Sequence, residues 1–238
     1  VDDAARRLLG QQARFAEVGE PERYTAEAVA SDAHRRLARE AAVAGTVLLR
    51  NERSCLPLHD LAAGGPGIAV VGKLADRVVL GDLGSSRVRP PTAVTFADGL
   101  RAAADDRGVA LAADTSGDAA TSAALAARAD AAVVVVGNTH HDEGEWIGKD
   151  GGDRKQLKLR GDDVDLVVAV AAANPRTVVV LLGGSAFLTE AWRHRVGAVV
   201  VAWYPGMEGG HAVADVLFGD EPPGGRLPRT RPRTQRQL

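Results

Sequence analysis

The chain has few aromatic residues and a single cysteine. Phe, Trp and Tyr together make up 4% of its 238 residues, so a hydrophobic core must be built mainly from Ala, Val and Leu. The single cysteine, Cys55, excludes an internal disulfide framework and fits a small buried residue. The composition therefore favours helices that pack on a valine-rich sheet.

A strong net charge and long apolar runs are also missing. The formal net charge is -2, which argues against nucleic acid or an anionic membrane surface as the main partner. No apolar run is long enough to span a bilayer, and no signal peptide is recognisable. Because the chain begins at Val1 rather than Met, we expect a fragment, a truncated gene product or a processed piece, and the sequence assigns no cellular location.

Valine-rich runs alternate with helical patterns along the chain. The runs lie at 67–73, 130–138, 176–184 and 197–206. The helical patterns lie near 93–105, 118–129, 161–173 and 208–218. Continuous apolar runs are typical of strands buried on both faces of a parallel sheet. The alternation predicts an α/β fold: a doubly wound, mostly parallel sheet with helices on both faces, which is an α/β sandwich.

A helical linker is predicted before the sheet. The stretch "SDAHRRLAREAAVAGTVLLRN" begins with a Ser/Asp cap and has apolar residues at helical spacing: Leu37, Ala41, Ala44, Val47 and Leu48. Residues 1–30 are polar and indicate a helix followed by a connector. We expect the sandwich to occupy residues 31–228 and the last ten residues, 229–238, to form a basic, disordered tail outside the fold.

The stretch "GNTHHDEGEWIGKDGGDRKQLKL", residues 137–159, is here called the acidic loop. It follows the valine run at 130–138, and ligands of open α/β sheets bind at the carboxyl ends of the strands. Its position therefore indicates a loop that lines a site. Metal, phosphate and acid chemistry are the alternatives to a merely solvated loop.

The residue spacing argues against a metal and against a phosphate site. His140 and His141 are adjacent, without HxxxH or HxxE spacing, and the acidic residues do not follow the order of an EF-hand. Phosphate-binding glycine motifs are missing from the loop. The segment "GDLGSSR" at 81–87, with Ser85 and Ser86, is interpreted as a turn that lines the pocket. We expect no metal and no cofactor.

Acid chemistry by a carboxylate stays open beside the solvated loop. A glutamate in a cleft near an aromatic ring such as Trp146 has its pKa raised by desolvation and can act as a general acid. Asp153 and Arg154 further along can order the loop through an ion pair. The residues alone do not decide between these two interpretations.

Several segments together carry a more specific signal. They are "HRRLAREAAVAGTVLLRNERSCLPL" at 34–58, "IAVVG" and "GDLGSS" at 68–72 and 81–86, "VVVVG…EGE…GDRKQLKL" around the acidic loop, and "WYPGMEGGHAVADVLFGDEPPGGRLPRT" at 203–230. In this order they resemble the C-terminal α/β-sandwich domain of glycoside hydrolase family 3, the β-glucosidase and β-xylosidase type. The resemblance covers roughly residues 31–230.

This resemblance implies a retaining exo-glycosidase that acts on β-linked glucosides or oligosaccharides. In the family, the active site lies between a (β/α)8 barrel, which donates an Asp nucleophile, and the α/β domain, which donates the acid/base Glu. The family's Ser-Gly-Glu-Gly and Glu-Ser-Glu-Gly loops place the acid at Glu145, whereas the simpler Glu-Gly pair places it at Glu143. Trp146 stands where the family usually has Gly. The residues implied to bind substrate or brace the loop are Asp153, Arg154, Trp146, Ser85 and Ser86.

Residues 1–30 resemble the end of the barrel, so the barrel itself is an expected partner that this chain lacks. Retaining hydrolysis needs two carboxyl groups about 5–5.5 Å apart. A chain with only the acid cannot form the glycosyl-enzyme intermediate, and we expect it to be inactive alone. The alternative function is a non-catalytic carbohydrate-binding or interaction module on the same fold. A nucleotide-binding domain is disfavoured by the missing phosphate motifs.

Overall fold

The computed structural model describes residues 1–16, 25–81, 87–144 and 154–237 of the chain, which divides into two compact units. The first unit, Val1–His34, contains the helix α1 (Asp2–Phe15), which has no buried residue. The second unit, Arg35–Leu238, contains the sheet. The helix α2 spans Asp32–Gly45. None of the helices in the described ranges is long and apolar enough to cross a membrane.

A mixed sheet of six strands forms within the described residues, in the order β1-β6-β5-β4-β2-β3. The strand β1 pairs with β6 antiparallel, and the other neighbours pair parallel. The strands are β1 (Val47–Asn51), β2 (Ile68–Val71), β3 (Leu111–Asp114), β4 (Ala131–Gly137), β5 (Thr177–Leu182) and β6 (Ala198–Trp203). The helices that follow α2 are α3 (Phe96–Asp105), α4 (Ala119–Ala126), α5 (His140–Glu143), α6 (Gly161–Ala173) and α7 (Gly209–Phe218).

Helices cover both faces of the sheet. Successive side chains of a strand point to opposite faces, so Val133 of β4 packs in one core cluster with Leu100 of α3 and Leu217 of α7. Its neighbour Val134 packs in a second cluster with Leu166 of α6. Every residue of β4 is buried, as the continuous valine run predicts. The predicted doubly wound α/β sandwich is therefore confirmed.

The strand order places the acidic loop at a crevice in the sheet. The strand β2 lies between β3 and β4, so the chain leaves β2 toward one side and returns to pair on its other side. Such a reversal opens a crevice beyond the carboxyl ends of the two strands, where ligands of this fold class bind. The acidic loop begins at the carboxyl end of β4.

The predicted linker helix was wrong at its C-terminal end. The helical pattern included Val47 and Leu48, but α2 ends at Gly45 and both residues belong to β1. Pairing decides the outcome, because Val47 lies opposite Val201 of β6 and completes the edge of the sheet. The strand β3 was not predicted, since it is short and its two central residues are exposed.

The predicted domain limits stay predictions, but residues of the expected tail contact the sandwich. Arg231 Nη2 donates a hydrogen bond to the carbonyl oxygen of Phe187 at 2.9 Å. The backbone N–H of Leu157 donates to Gln235 Oε1 at 3.0 Å. Arg231, one of the basic residues that indicated a solvated tail, thus donates a hydrogen bond to a carbonyl group of the sandwich.

A buried carboxyl group lies where α6 meets the end of β4. Asp163 is 5% exposed, and its Oδ2 atom has no hydrogen-bond partner in the part of the chain that the structure describes. Burial raises the pKa of Asp163 to about 6, while Arg160 and the backbone N–H of Gly137 act in the opposite direction. The neutral form is therefore favoured in the folded protein relative to the unfolded one.

We expect D163N to gain stability relative to the original chain as pH rises. The neutral Asp163 carboxyl stabilises the fold fully below the unfolded pKa of 3.8, and this contribution is lost as pH rises through about 6. Asparagine does not titrate, so the relative gain between about pH 4 and about pH 7.5 should reach about 1–3 kcal/mol. Urea unfolding at both pH values measures it. The control is D165N, an exposed position of the same helix, and a difference that does not vary with pH would contradict the prediction.

Candidate active site

The acidic loop begins with a short capped helix that orients its first carboxylates. Thr139 caps α5: its Oγ1 atom accepts a hydrogen bond from the backbone N–H of His141 at 3.3 Å. Asp142 Oδ2 accepts one from the backbone N–H of Thr139 at 2.8 Å. This capping box satisfies donors at the start of the helix. It also fixes where Glu143, the last residue of α5, points.

The carboxylate of Glu143 accepts hydrogen bonds from four donors. Asn138 Nδ2 and Arg154 Nη1 donate to Oε2 at 2.8 and 3.2 Å. The Tyr204 hydroxyl donates to Oε1 at 2.7 Å, and the backbone N–H of Gly184 donates to the same atom. The Glu143 side chain is only 6% exposed. A carboxylate has about four acceptor positions, so these donors occupy all of them.

Arg154 closes the acidic loop at its far end. Its side chain is 9% exposed, and Nη1 donates to Glu143, to Ser185 Oγ at 3.1 Å and to the carbonyl oxygen of Ala186 at 3.0 Å. The guanidinium lies 4.6 Å from the ring centroid of Phe187. Burial lowers the pKa of Arg154, and the charge of Glu143 opposes that effect. The ion pair therefore offsets only part of the desolvation of Arg154.

A second, weaker ion pair joins the two ends of the acidic loop. Arg160 Nη1 lies 3.6 Å from Asp142 Oδ1, and both side chains are partly exposed. Two ion pairs thus connect Asp142 and Glu143 to Arg160 and Arg154.

Tyr204 connects the loop to the end of β6. Burial raises the pKa of its phenol well above the usual range, and the hydrogen bond and negative charge of Glu143 add to that effect. The hydroxyl therefore stays protonated as a donor. The preceding residue, Trp203, has a positive φ of 58°, a conformation that is costly for a bulky side chain. This backbone turns the chain so that Tyr204 faces Glu143.

A cavity with a mixed polar and apolar lining lies at the crevice between β2 and β4. It has a volume of about 440 Å³ and is lined by residues 76–81 together with Thr139, His140 and His141. The rings of the two histidines lie 3.8 Å apart between centroids. Among the described residues, no group of three or more His, Cys, Asp or Glu side chains is placed to hold a metal ion.

Of the residues predicted for the site, the structure brings Glu143 and Arg154 together. The other predicted residues lie outside the described residues: Glu145, Trp146, Asp153, Ser85 and Ser86. Asn138, Gly184 and Tyr204 were not predicted as partners of Glu143. Each follows a buried strand by one or two residues, and that common position is the signal that could have identified them.

The family assignment follows from the comparison with known proteins. The Glycosyl hydrolase family 3 C-terminal domain matches this chain over residues 46–238, most of its length. The chain belongs to this family. The match includes the acidic loop and the segment at 203–230, so the resemblance carried by those segments is confirmed.

Relatives and solved structures of family 3 enzymes agree with this assignment. A beta-xylosidase of Formosa agariphila is 30% identical over 100% of this chain, and an exo-alpha-(1->6)-L-arabinopyranosidase of Bifidobacterium breve is 32% identical over 84%. The crystal structure of a beta-glucosidase from Listeria innocua, in complex with isofagomine, superposes on 100% of the chain with a TM-score of 0.81 and 25% identity. The chain spans only 34%, 27% and 33% of these three proteins, respectively.

We expect E143Q to lower the stability of the family 3 domain by about 2–4 kcal/mol. Glutamine replaces one acceptor oxygen by an NH2 group, which then faces the two donors that bound that oxygen. The substitution also removes the negative charge that pairs with Arg154. Urea unfolding at neutral pH measures the change. The same substitution at the exposed Glu40 of α2 is the control, and equal stabilities of E143Q and E40Q would contradict the importance of the network.

Proposed function

We propose that this chain is the acid-donating domain of a retaining β-glycosidase, with Glu145 as its general acid and base. The observation that carries the proposal is the satisfied carboxylate of Glu143 in the acidic loop of a family 3 domain. A general acid must direct its proton at the leaving oxygen of the substrate. Four donors already occupy the two carboxylate oxygens of Glu143, so neither oxygen is free to carry a proton toward the substrate.

Glu145 is the remaining carboxylate of the Glu-Gly-Glu stretch. It follows Glu143 by two residues, so chain geometry limits the distance between their Cα atoms to about 7 Å. The ion pair of Glu143 with Arg154 holds the base of the loop. In this proposal Glu143 and Arg154 position the loop and Glu145 exchanges the proton. Asp153, Trp146, Ser85 and Ser86 remain candidates for substrate contact or for bracing.

The second carboxylate of the reaction is proposed to come from a (β/α)8 barrel. The acid protonates the leaving oxygen while a nucleophile about 5–5.5 Å away attacks the anomeric carbon, and the acid then activates water as a base. The small share of the relatives that this chain spans supports a partner domain. The relatives' names, xylosidase, glucosidase and arabinopyranosidase, support a pyranoside at the non-reducing end as substrate.

The purified 238-residue chain should not hydrolyse aryl β-glucosides or β-xylosides above the background rate. It contributes protonation but no nucleophile, so the glycosyl-enzyme cannot form. The release of 4-nitrophenol and the presence of a burst phase are measured at high chain concentration. Turnover by the isolated chain that disappears in E145Q would contradict the proposal that the acid and the nucleophile come from two different domains.

In the complete polypeptide that carries this chain, E145A should slow hydrolysis of substrates with poor leaving groups by about 10²–10⁴-fold. Dinitrophenyl glycosides need little protonation, so formation of their glycosyl-enzyme should stay close to the original rate. Azide attacks that intermediate without a general base, so it should restore turnover and yield a glycosyl azide.

The matched control is E143A, which removes a carboxylate from the same stretch. We expect it to weaken the loop without azide rescue. Rescue in E143A and none in E145A would assign the acid to Glu143 instead. Full activity in both variants would favour the non-catalytic carbohydrate-binding module.

A further inference from the structure

The turn 183–187, which follows β5, is bound from two sides. On one side the N–H of Gly184 donates to Glu143, and Ser185 and Ala186 accept hydrogen bonds from Arg154. On the other side two carbonyl oxygens of the turn accept hydrogen bonds from the C-terminal segment (229–237). The turn therefore lies between the base of the acidic loop and that segment.

Two arginines make the contacts from the C-terminal segment. Arg229 Nη2 donates to the carbonyl oxygen of Gly184 at 3.0 Å, and its guanidinium lies 5.2 Å from the ring centroid of Trp203. Arg231 Nη2 donates to the carbonyl oxygen of Phe187 at 2.9 Å. Arg229 thus contacts the same residue whose N–H binds Glu143, and Arg231 contacts the residue whose ring lies against Arg154.

The backbone of this turn needs such external contacts. Gly183 has a positive φ of 152°, and Gly184 follows it, so two successive residues have the conformational freedom of glycine. Only one orientation of the Gly184 peptide aims its N–H at Glu143. The hydrogen bond from Arg229 to the carbonyl oxygen of Gly184 restricts backbone rotation at this residue and so helps to keep its N–H aimed at Glu143.

Arg231 contributes through position rather than through charge. Burial, together with the positive charges of Arg229 and Arg193, lowers the pKa of Arg231 to about 10. A half-buried cation among like charges adds little net stability. Removing it should therefore release the turn without unfolding the domain.

We propose that Arg229 and Arg231 are positioning residues that hold the turn 183–187 and, through it, orient Glu143, Arg154 and the acidic loop. The proposal rests on the proposed role of Glu145 as the acid, because only then does loop orientation affect proton transfer. The C-terminal segment thereby becomes a functional part of the site.

The first test uses the isolated chain and needs no catalysis. R229M and R231M remove the guanidinium and keep an unbranched side chain. R226M is the matched control, because among the described residues the Arg226 side chain donates hydrogen bonds to Gly224 and Gly225 and not to the turn. We expect R229M and R231M to speed hydrogen exchange of the Gly184 amide by about tenfold. R226M should leave the exchange unchanged.

Tyr204 reports on the same network. The chain has two tyrosines, so the Y24F background leaves Tyr204 as the single phenol for an absorbance titration at alkaline pH. In R229M and R231M this phenol should ionise at lower pH than in the Y24F parent, because Glu143 is held less firmly against it. R231K, which keeps one donor, should recover part of the effect. Unchanged exchange of Gly184 and an unchanged titration in both Met variants would overturn the proposal.

The second test uses the complete polypeptide and separates this proposal from the acid assignment. R229M, an exposed position, should lower kcat for a substrate with a poor leaving group by about tenfold. It should leave KM, and kcat for the dinitrophenyl substrate, nearly unchanged. If E145A shows the leaving-group dependence and R229M does not, the positioning role is wrong. If R229M alters the exchange of Gly184 but E145A shows no such dependence, the acid assignment is wrong and the link to the turn remains.

Discussion

The carboxylate of Glu143 joins the ends of three neighbouring strands to the far end of the acidic loop. Three of its donors follow β4, β5 and β6, and the fourth is Arg154, in the far part of the acidic loop. Hydrogen bonds to a charged group contribute about 1.5–3 kcal/mol each, so this one side chain outweighs many surface contacts. The rest of the site depends on it, because without a charged acceptor the four donors would be left together in a buried pocket.

The valine-rich sheet is what makes this convergence possible. The strands β4, β5 and β6 are parallel and buried on both faces, so their carboxyl ends lie side by side at one edge. Polar residues that follow the strands are then close in space although they are distant in the chain. The rigid hydrophobic layers below keep the donors of Glu143 in place.

Sequence patterns predicted the central strands because burial on both faces requires continuous apolar runs, and they predicted the helices because burial on one face requires apolar residues at helical spacing. The same patterns failed at Val47 and Leu48, where pairing with β6 overrides the helical spacing, and at β3, whose exposed residues leave no apolar run. In the site, Glu143 and Arg154 were both named as candidates from the acidic loop, but neither their pairing nor the contacts of Glu143 with Tyr204 and Gly184 were predicted. Their link to Glu143 depends on strand order, which local periodicity does not encode.

By itself, the sequence determined the fold class, the family and the two candidate glutamates, because these follow from composition, alternation and the order of short motifs. Only the tertiary structure decided that Glu143 is enclosed by four donors and that arginines of the expected tail bind the turn 183–187. The physical reason is that hydrogen-bond saturation is a property of distances between segments. The sequence of the Glu-Gly-Glu stretch is the same whether the carboxylate of its first glutamate is buried and hydrogen-bonded or exposed to solvent.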